Sequence, residues 1–296
     1  MEIMRVLITG ASGFIGSSLS AALRERGDVP VPLRRDGSAG PTWDIAAGRV
    51  EPGALDDVDA VVHLAGEPIL PPWTARKKER ILQSRVRGTD LISRAVAEAG
   101  TPVLVSASGM DFYGDKGEDL VDETASPGSG FMSGVVSAWE AATAPAVAAG
   151  ARVVHLRSSL VLDSAGGSLP KMMIPFRLFF GGPMGNGRQW WSWITLQDQV
   201  RAILHLIDHG DVAGPVNMAS PGPVRNRRFM QALGEAMGRP SWFPTPAFGL
   251  RLVLGKDAAD ALLLESKRLV PAVLERSGFV FDHPVIDGAM EEAVGG

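Results

Sequence analysis

The 296-residue sequence contains no cysteine, and none of its apolar runs reaches the ~18 residues that a membrane-spanning helix needs. The missing cysteines exclude disulfides, thiol nucleophiles and thiolate metal sites, and they fit a reducing, cytoplasmic location. A net charge of −4 provides no broad basic surface, so nucleic acid is not expected as a partner. The lack of a spanning run likewise predicts no membrane partner. The acidic Glu2, just before an apolar segment, predicts that no signal peptide is present.

A strand, a glycine turn and a helix open the chain. The apolar run Arg5–Thr9 is typical of a buried parallel strand, and Gly10, Gly13 and Gly16 follow it at G-x-x-G-x-x-G spacing. A helical pattern then continues as far as Gly27. Such glycines let backbone N–H groups approach a pyrophosphate, and the helix N-terminus adds partial positive charge. The segment therefore predicts a dinucleotide-binding fold.

Two arginines, Arg34 and Arg35, follow the second predicted strand, Val29–Leu33. In dinucleotide-binding folds an acidic residue about 20 positions after the glycines binds the ribose of NAD, whereas an arginine there accommodates the 2′-phosphate of NADP. Because Arg34 comes 18 residues after Gly16 and the strand before it contains no acid, we predict NADP(H) as the cofactor. Asp36 keeps NAD open as the alternative.

Strands alternate with helices as far as residue 162, which predicts a parallel sheet covered on both faces. Further strands are predicted at 58–64, 102–106, 152–156 and 212–218, and helices at 74–99, 135–149 and 197–209. Beyond residue 162 glycine, proline and tryptophan become frequent. We predict an α/β, Rossmann-type doubly wound sheet in residues 1–162, with a strand and helix from about 190–218 returning to it. A smaller substrate lobe is predicted in residues 163–296.

The histidines do not indicate a metal site. His63 lies inside a predicted strand, so a buried core role is favoured over a catalytic one. His205 and His209 have the i, i+4 spacing of a chelating pair, but no acidic partner accompanies them at fixed spacing, and we predict no metal.

Several longer motifs have an unusual composition. They are TWD (42–44), HLAGEPI (63–69), SRVRGT (84–89), SASGMDFYG (106–114), WEAA (139–142), LRSSLVL (156–162), PFRLFFGGPMGNGRQ (175–189), WSWI (191–194), PVRN (223–226) and LVPAVLERSGF (269–279). Through them the chain resembles, nearly end to end, the extended short-chain dehydrogenase/reductase superfamily. More narrowly, it is similar to atypical epimerase-family proteins of the YfcH type.

This resemblance implies a NADP-type cofactor held by the glycine turn, by Arg34, by the residues after the third strand, by Arg85 and by the segment around Val161. The cofactor-binding residues are therefore predicted to be Gly10, Ser12, Gly13, Phe14, Ile15, Gly16, Arg34, Arg35, Leu64, Ala65, Gly66, Arg85, Ser106 and Val161.

This chain departs from the superfamily pattern at the catalytic residues. Active members of the superfamily use a Ser or Thr with a Tyr-x-x-x-Lys pair, in which the tyrosine exchanges a proton with the substrate. In this chain the corresponding positions fall near Met132 and Val136, which cannot move a proton. Two replacements are predicted as catalytic residues, Ser108 and the single tyrosine, Tyr113. A serine-rich turn and a structural tyrosine are the respective alternatives.

Four other side chains are weaker candidates. Asp111, Lys116 and Lys171 could carry a proton, and Arg157 could pair with a phosphate or carboxylate or be a buried structural arginine.

Two functions follow from this pattern. The first is an NADP(H)-dependent oxidoreductase or epimerase that acts on a small hydroxy or carbonyl compound, sugar-derived compounds included. The second, from a different class, is a non-catalytic NADP-sensing or scaffold protein. A homodimer is compatible with either.

Overall fold

The computed structural model describes residues 3–35 and 40–295. The strands are β1 (Arg5–Thr9), β2 (Val29–Leu33), β3 (Trp43–Asp44), β4 (Arg49–Val50), β5 (Ala60–His63), β6 (Val103–Gly109), β7 (Leu120–Val121), β8 (Arg152–Ser158), β9 (Leu160–Leu162), β10 (Trp190–Trp191), β11 (Trp193–Thr195), β12 (Gly214–Met218), β13 (Val224–Arg225) and β14 (Arg268–Leu269). The helices are α1 (Phe14–Arg26), α2 (Ala75–Ala99), α3 (Phe131–Ala141), α4 (Ala144–Ala148), α5 (Leu169–Arg177), α6 (Leu196–Asp208), α7 (Asn226–Met237), α8 (Ala247–Leu254), α9 (Lys256–Ala259), α10 (Ala272–Arg276) and α11 (Ile286–Gly295). A 3-10 turn (Met110–Phe112) follows β6, and a π-helical turn (Asp260–Leu264) follows α9.

Six strands form one parallel sheet in the order β12-β8-β6-β5-β1-β2. The predicted Rossmann-type α/β sheet is thereby confirmed. The chain winds outward in one direction from β1 to β2 and in the other from β5 to β12, so the winding reverses between β1 and β5. Doubly wound sheets bind their ligands outside the carboxyl ends of the strands at such a reversal. The glycine turn after β1 lies at this point.

Apolar side chains cover both faces of the sheet. In β1, Val6 and Ile8 join one buried cluster with residues of α1 and α6, while Leu7 joins a second cluster with Ile92 and Val96 of α2. Both faces are buried, which is why β1 is apolar at successive positions rather than at alternate ones. Full burial of each such side chain stabilises the fold by about 1.5–3 kcal/mol.

A third apolar cluster lies beyond the sheet. It joins α5, α7 and α11 around four large buried rings, those of Phe176, Trp191, Trp193 and Phe229. β12 nevertheless returns to the edge of the main sheet beside β8, and α6 packs against α1. The division of the chain at residue 162 stays a prediction. Among the described residues, no helix combines the length and the apolar character needed to cross a bilayer.

Two elements differ from their predictions. β6 continues to Gly109, three residues past its expected end, so Ser108 lies within a strand and not in a turn. The single helix predicted for 135–149 is wrong, because α3 ends at Ala141 and α4 begins at Ala144. Pro145, at the start of α4, has no backbone N–H for a continuous helix, and the Thr143 hydroxyl bonds the Glu140 carbonyl at the junction.

Candidate functional site

The turn between β1 and α1 brings glycine backbone into close contact with its surroundings. Gly10 has a φ of +71°, and a Cβ there would lie 3.1 Å from the Ala65 nitrogen. A Cβ on Gly16 would lie only 2.2 Å from the Gly10 oxygen. α1 starts after Gly13 without a side-chain cap and carries no acid in its first turn. Its first N–H groups therefore present partial positive charge to whatever lies in front of them.

A cleft of about 650 Å³ opens over this turn at the reversal between β1 and β5. Backbone, apolar side chains, two serines, one glutamate and two arginines form its walls. The described residues that line it are Gly10, Ala11, Ser12, Gly13, Pro32, Leu33, Arg34, Arg35, Trp43, Ile45, Leu64, Ala65, Gly66, Glu67, Pro68 and Ser84. Eight of the fourteen predicted cofactor residues are in this set: Gly10, Ser12, Gly13, Arg34, Arg35, Leu64, Ala65 and Gly66.

The arginine end of the cleft is shaped by a returning segment. The backbone of Arg34 bonds to Pro41 at 2.9 Å and to Trp43 at 2.8 Å, which folds β3 back beside the end of β2. Trp43 is almost fully buried and meets the His63 ring edge-on at 5.9 Å. Sequence reasoning noted the TWD motif only as part of a resemblance and missed Trp43 and Ile45 as lining residues. Asp36, on which the NAD alternative rests, lies outside the described residues.

The other predicted cofactor residues make contacts of their own. The Phe14 ring packs so closely on the 166–167 turn that a Cβ on Gly166 would lie 2.3 Å from it. Ile15 packs at the edge of the first core cluster, and Val161 pairs with Ile194. Ser106 is buried, with its hydroxyl near the Ala107 carbonyl at 3.4 Å.

Arg85 joins α2 to the loop after β5. Its guanidinium donates to the Glu67 carbonyl at 3.0 Å and to the Ile81 carbonyl at 3.2 Å, and it stacks over Trp139. Burial lowers the pKa of Arg85 to about 10, against the attraction of Asp111 and Glu67. At that value it remains a cation at neutral pH, held next to the backbone of Gly66.

A buried charge network closes the carboxyl ends of β6 and β8. Arg157 binds both oxygens of Glu140, through Nε at 2.8 Å and through Nη2 at 2.9 Å. Ser108 donates to the same carboxylate at 2.6 Å. Burial raises the pKa of Glu140, but the hydrogen bonds from Arg157 and Ser108 outweigh burial and hold that pKa below its usual value. Of the two interpretations offered for Arg157, the buried structural one matches this geometry.

Tyr113 belongs to the same network and is fully buried. Its hydroxyl donates to Asn217 Oδ1 at 2.7 Å and accepts from Arg157 Nη1 at 2.9 Å. Burial raises the pKa of Tyr113 to about 12, although the Arg157 bond acts in the opposite direction. A catalytic role for Tyr113 stays a prediction, and the burial of its hydroxyl argues against it.

A second buried pair lies beyond β6 and was missed by sequence reasoning. Lys267 Nζ lies 3.0 Å from Asp111 Oδ1, 3.0 Å from Glu265 Oε2 and 2.6 Å from the Ala261 carbonyl. Burial alone would lower the pKa of Lys267, but the attraction of Asp111 and Glu265 outweighs it and raises that pKa. Nothing in the sequence around residue 267 indicates this contact, because it joins segments 156 positions apart.

The remaining candidates are distributed over the structure. Met132 and Val136, which are predicted to stand at the superfamily's tyrosine and lysine positions, are buried in α3. Lys171 is exposed on α5, and the Lys116 backbone bonds Ser266. His205 and His209 stack with ring centroids 3.7 Å apart. Across the described ranges, no three His, Cys, Asp or Glu side chains converge as metal ligands.

The histidine in β5 is buried, as expected for a core residue. His63 is fully buried, and its Nδ1 bonds the Thr9 hydroxyl at 2.7 Å. Burial lowers the pKa of His63 to about 4, so the ring is neutral at physiological pH.

Comparison with known proteins identifies the family. A sequence-family model described as the NAD dependent epimerase/dehydratase family matches residues 6–219. The chain belongs to this family. A second model, a domain of unknown function called DUF1731, matches residues 245–293. The predicted resemblance to epimerase-type short-chain dehydrogenases/reductases is confirmed.

Relatives within the family cover nearly the whole chain. Epimerase family protein ML0860 of Mycobacterium leprae is 40% identical over 292 residues, which are 97% of this chain and 95% of that protein. Human epimerase family protein SDR39U1 is 35% identical and matches 98% of this chain and 100% of its own length. A crystal structure of human SDR39U1 (isoform 2) with NADPH superposes with a TM-score of 0.90 at 32% identity and covers 99% of each chain. A Thermus thermophilus UDP-glucose 4-epimerase, at 19% identity and a TM-score of 0.78, shares the fold.

Proposed function

We propose that this chain binds NADP(H) in the cleft between the ends of β1, β2 and β5. The observation that carries the proposal is the position of Arg34 and Arg35 in the lining of a cleft that opens over an uncapped, glycine-lined helix N-terminus. The glycine backbone fits a pyrophosphate, because Cβ atoms at Gly10 and Gly16 would fill the turn. The human relative crystallised with NADPH supports the same cofactor.

Calorimetry with NADPH, NADP⁺ and NADH tests this proposal. We expect the double substitution Arg34→Ala/Arg35→Ala to weaken NADPH binding at least tenfold and to change NADH binding much less, because NADH lacks the 2′-phosphate. Arg87→Ala, at an exposed arginine of α2 outside the cleft lining, is the matched control. No heat with NADPH or NADP⁺ for the folded wild-type chain would overturn the proposal.

We further propose that the bound cofactor serves an oxidoreductase or epimerase reaction on a small hydroxy or carbonyl compound, sugar-derived compounds included. A bound nicotinamide supplies hydride exchange at a carbon atom. The protein must then bind the substrate oxygen and exchange a proton with it. Lys267 with Asp111 is the proton-carrying pair that the geometry favours. Asp111 lies two residues after β6, and Lys267 directs its ammonium protons to it, to Glu265 and to the Ala261 carbonyl. Ser108 and Tyr113 each have a single proton, which Glu140 and Asn217 accept.

A panel of carbonyl compounds and sugar nucleotides, followed through the absorbance of NADPH, tests this reaction. With any substrate found, Lys267→Gln should lower kcat at least a hundredfold and flatten its pH dependence, because the amide carries no exchangeable charge. Lys171→Gln, at an exposed lysine of α5, serves as the control. An unchanged pH profile in Lys267→Gln would remove the pair from the proposal.

The alternative is a non-catalytic NADP-sensing or scaffold protein. One observation favours it: both predicted catalytic side chains, Ser108 and Tyr113, are hydrogen-bonded to buried protein groups. This alternative predicts NADPH affinity that survives Ser108→Ala and Tyr113→Phe, with no turnover on the panel. A substrate whose reduction either substitution abolishes would exclude it. The Arabidopsis relative is described as chloroplastic, and a cytoplasmic location for this chain stays a prediction.

A further inference from the structure

The segments that build the outer part of the C-terminal region contain no acidic residue. Residues 164–197 and 236–256 lack Asp and Glu entirely, although one residue in nine of the whole chain is acidic. At that frequency these 55 positions would hold about six acids. They carry six cations instead: Lys171, Arg177, Arg188, Arg239, Arg251 and Lys256. The local charge is thus opposite to the net charge of −4.

The two acid-free segments lie side by side. The Phe243 N–H donates to the Gly181 carbonyl at 3.1 Å, and the Thr245 N–H donates to the Pro183 carbonyl at 2.8 Å. The Phe180 and Phe243 rings meet edge-on at 5.4 Å. α8 begins two residues after Thr245, so the same strip of chain continues into this helix.

Large apolar side chains project into solvent along this strip. We call Leu178, Phe179, Phe180, Trp242, Phe243 and Phe248 the apolar surface; each is exposed by 55–78%. α8 adds Leu252 and Val253 and contains no buried residue at all. The five aromatic rings alone expose on the order of 600 Å². The largest apolar patch on a typical monomer measures about 300–600 Å², and patches of that size often have a function.

Cations flank the apolar surface, and the nearby acids are already engaged. The Arg239 guanidinium stacks on Phe179 at 4.7 Å. Asp257 pairs with Lys78, and Asp260 pairs with Arg251 and Lys256. A two-fold pairing of this surface with a second copy would bring like charges together. An anionic, apolar partner matches the surface in both respects.

We propose that the apolar surface docks on a lipid bilayer that contains anionic headgroups. Exposed aromatic rings beside Arg and Lys are the pattern of proteins that lie in the membrane interface. The expectation of no membrane partner came from the lack of a spanning run, and a protein that lies on the bilayer needs no such run. A second cleft, of about 590 Å³, is lined by Trp242, Arg227 and Asn186 beside this surface and offers an arginine to a headgroup phosphate.

Vesicle co-sedimentation of the full chain tests the proposal. We expect at least tenfold stronger partition onto phosphatidylcholine vesicles with about 30% phosphatidylglycerol than onto phosphatidylcholine alone, and weaker binding at high salt. Trp242→Ser/Phe243→Ser should lower the partition at least tenfold. Phe248→Ser/Leu252→Ser in α8, where no buried packing is lost, provides a second test. Arg177→Glu/Arg239→Glu should abolish the preference for anionic lipid.

The control is Val280→Ser/Val285→Ser, at two exposed apolar residues outside the acid-free segments. It should leave partition within twofold, and every variant should keep the wild-type thermal midpoint. Three results would overturn the proposal: equal partition onto both vesicles, an equal loss in the control, or no binding by the wild-type chain. A dimer in light scattering that Phe248→Ser/Leu252→Ser dissociates, without vesicle binding, would assign the surface to a second copy.

Discussion

The two ends of the candidate site differ in what fills them. At the ends of β1, β2 and β5, glycine backbone and two arginines surround an open cleft of about 650 Å³. At the ends of β6 and β8, the buried Arg157 and Glu140 bind one another. The first end leaves space for a ligand beside its arginines, whereas the Arg157–Glu140 pair fills the second. Substitutions at the cleft should therefore change ligand affinity, and substitutions in the network should change stability.

The largest expected effect is a loss of stability from a substitution at the ends of β6 and β8. Arg157→Met leaves Glu140 buried without its cation, and we expect the free energy of unfolding to fall by about 4 kcal/mol. Urea unfolding measures the change. Arg225→Met is the matched control, because Arg225 also stacks on an aromatic ring and pairs with a glutamate, but one that is exposed. Because solvent screens that pair, Arg225→Met should lower the free energy of unfolding much less than Arg157→Met does. Equal losses of unfolding free energy in the two variants would show that the buried Arg157–Glu140 pair has no special role in stability.

The second effect concerns acid stability at the strand beside the cleft. The folded-state pKa of His63, about 4, lies below the unfolded value of 6.5, so the unfolded chain takes up the proton first. Stability should be constant above about pH 6.5 and should fall as the pH is lowered toward 4, by about 3 kcal/mol at most from this group. His63→Gln should remove that part of the slope in unfolding curves measured from pH 4 to 7. A slope between pH 4 and pH 7 that persists undiminished in His63→Gln would contradict this origin.

The third effect concerns NADPH affinity at the turn between β1 and α1. Ser12→Asp places a negative charge in the cleft lining before α1, where a pyrophosphate would compete for the same N–H groups. We expect NADPH to bind at least tenfold more weakly, about 1.4 kcal/mol, with little change in unfolding. Ala21→Asp puts the same charge on an exposed position of the same helix, and calorimetry should show wild-type affinity there. Similar affinities for the two variants would contradict a pyrophosphate at the turn.

The smallest expected effect comes from removing a single hydroxyl at the ends of β6 and β8. Ser108→Ala removes one donor to Glu140, which keeps both bonds from Arg157, and should cost about 1 kcal/mol of stability. NADPH affinity should stay within twofold of wild type in the same calorimetric assay. A large loss of NADPH affinity without a loss of stability would show that Ser108 contributes to the cofactor cleft instead.

Local patterns predicted the elements that depend on neighbours in sequence. β1 and β2 have the predicted bounds, and α2 begins after Thr74, whose side chain caps it. Eight predicted cofactor residues line one cleft, because they lie in turns that directly follow adjacent parallel strands. The end of β6 was predicted too early. Its last residues pair with β8, and that partner is more than 40 positions away in sequence.

The sequence by itself determined the sheet, the glycine turn and the family, because strand periodicity and the need for glycine at a positive φ are local properties of the chain. The tertiary structure decided which partner each polar side chain near the site meets. Ser108, Tyr113 and Lys267 are each bonded to residues 32 to 156 positions away. Whether a side chain meets a partner or solvent depends on contacts between distant segments, and no local pattern specifies those contacts.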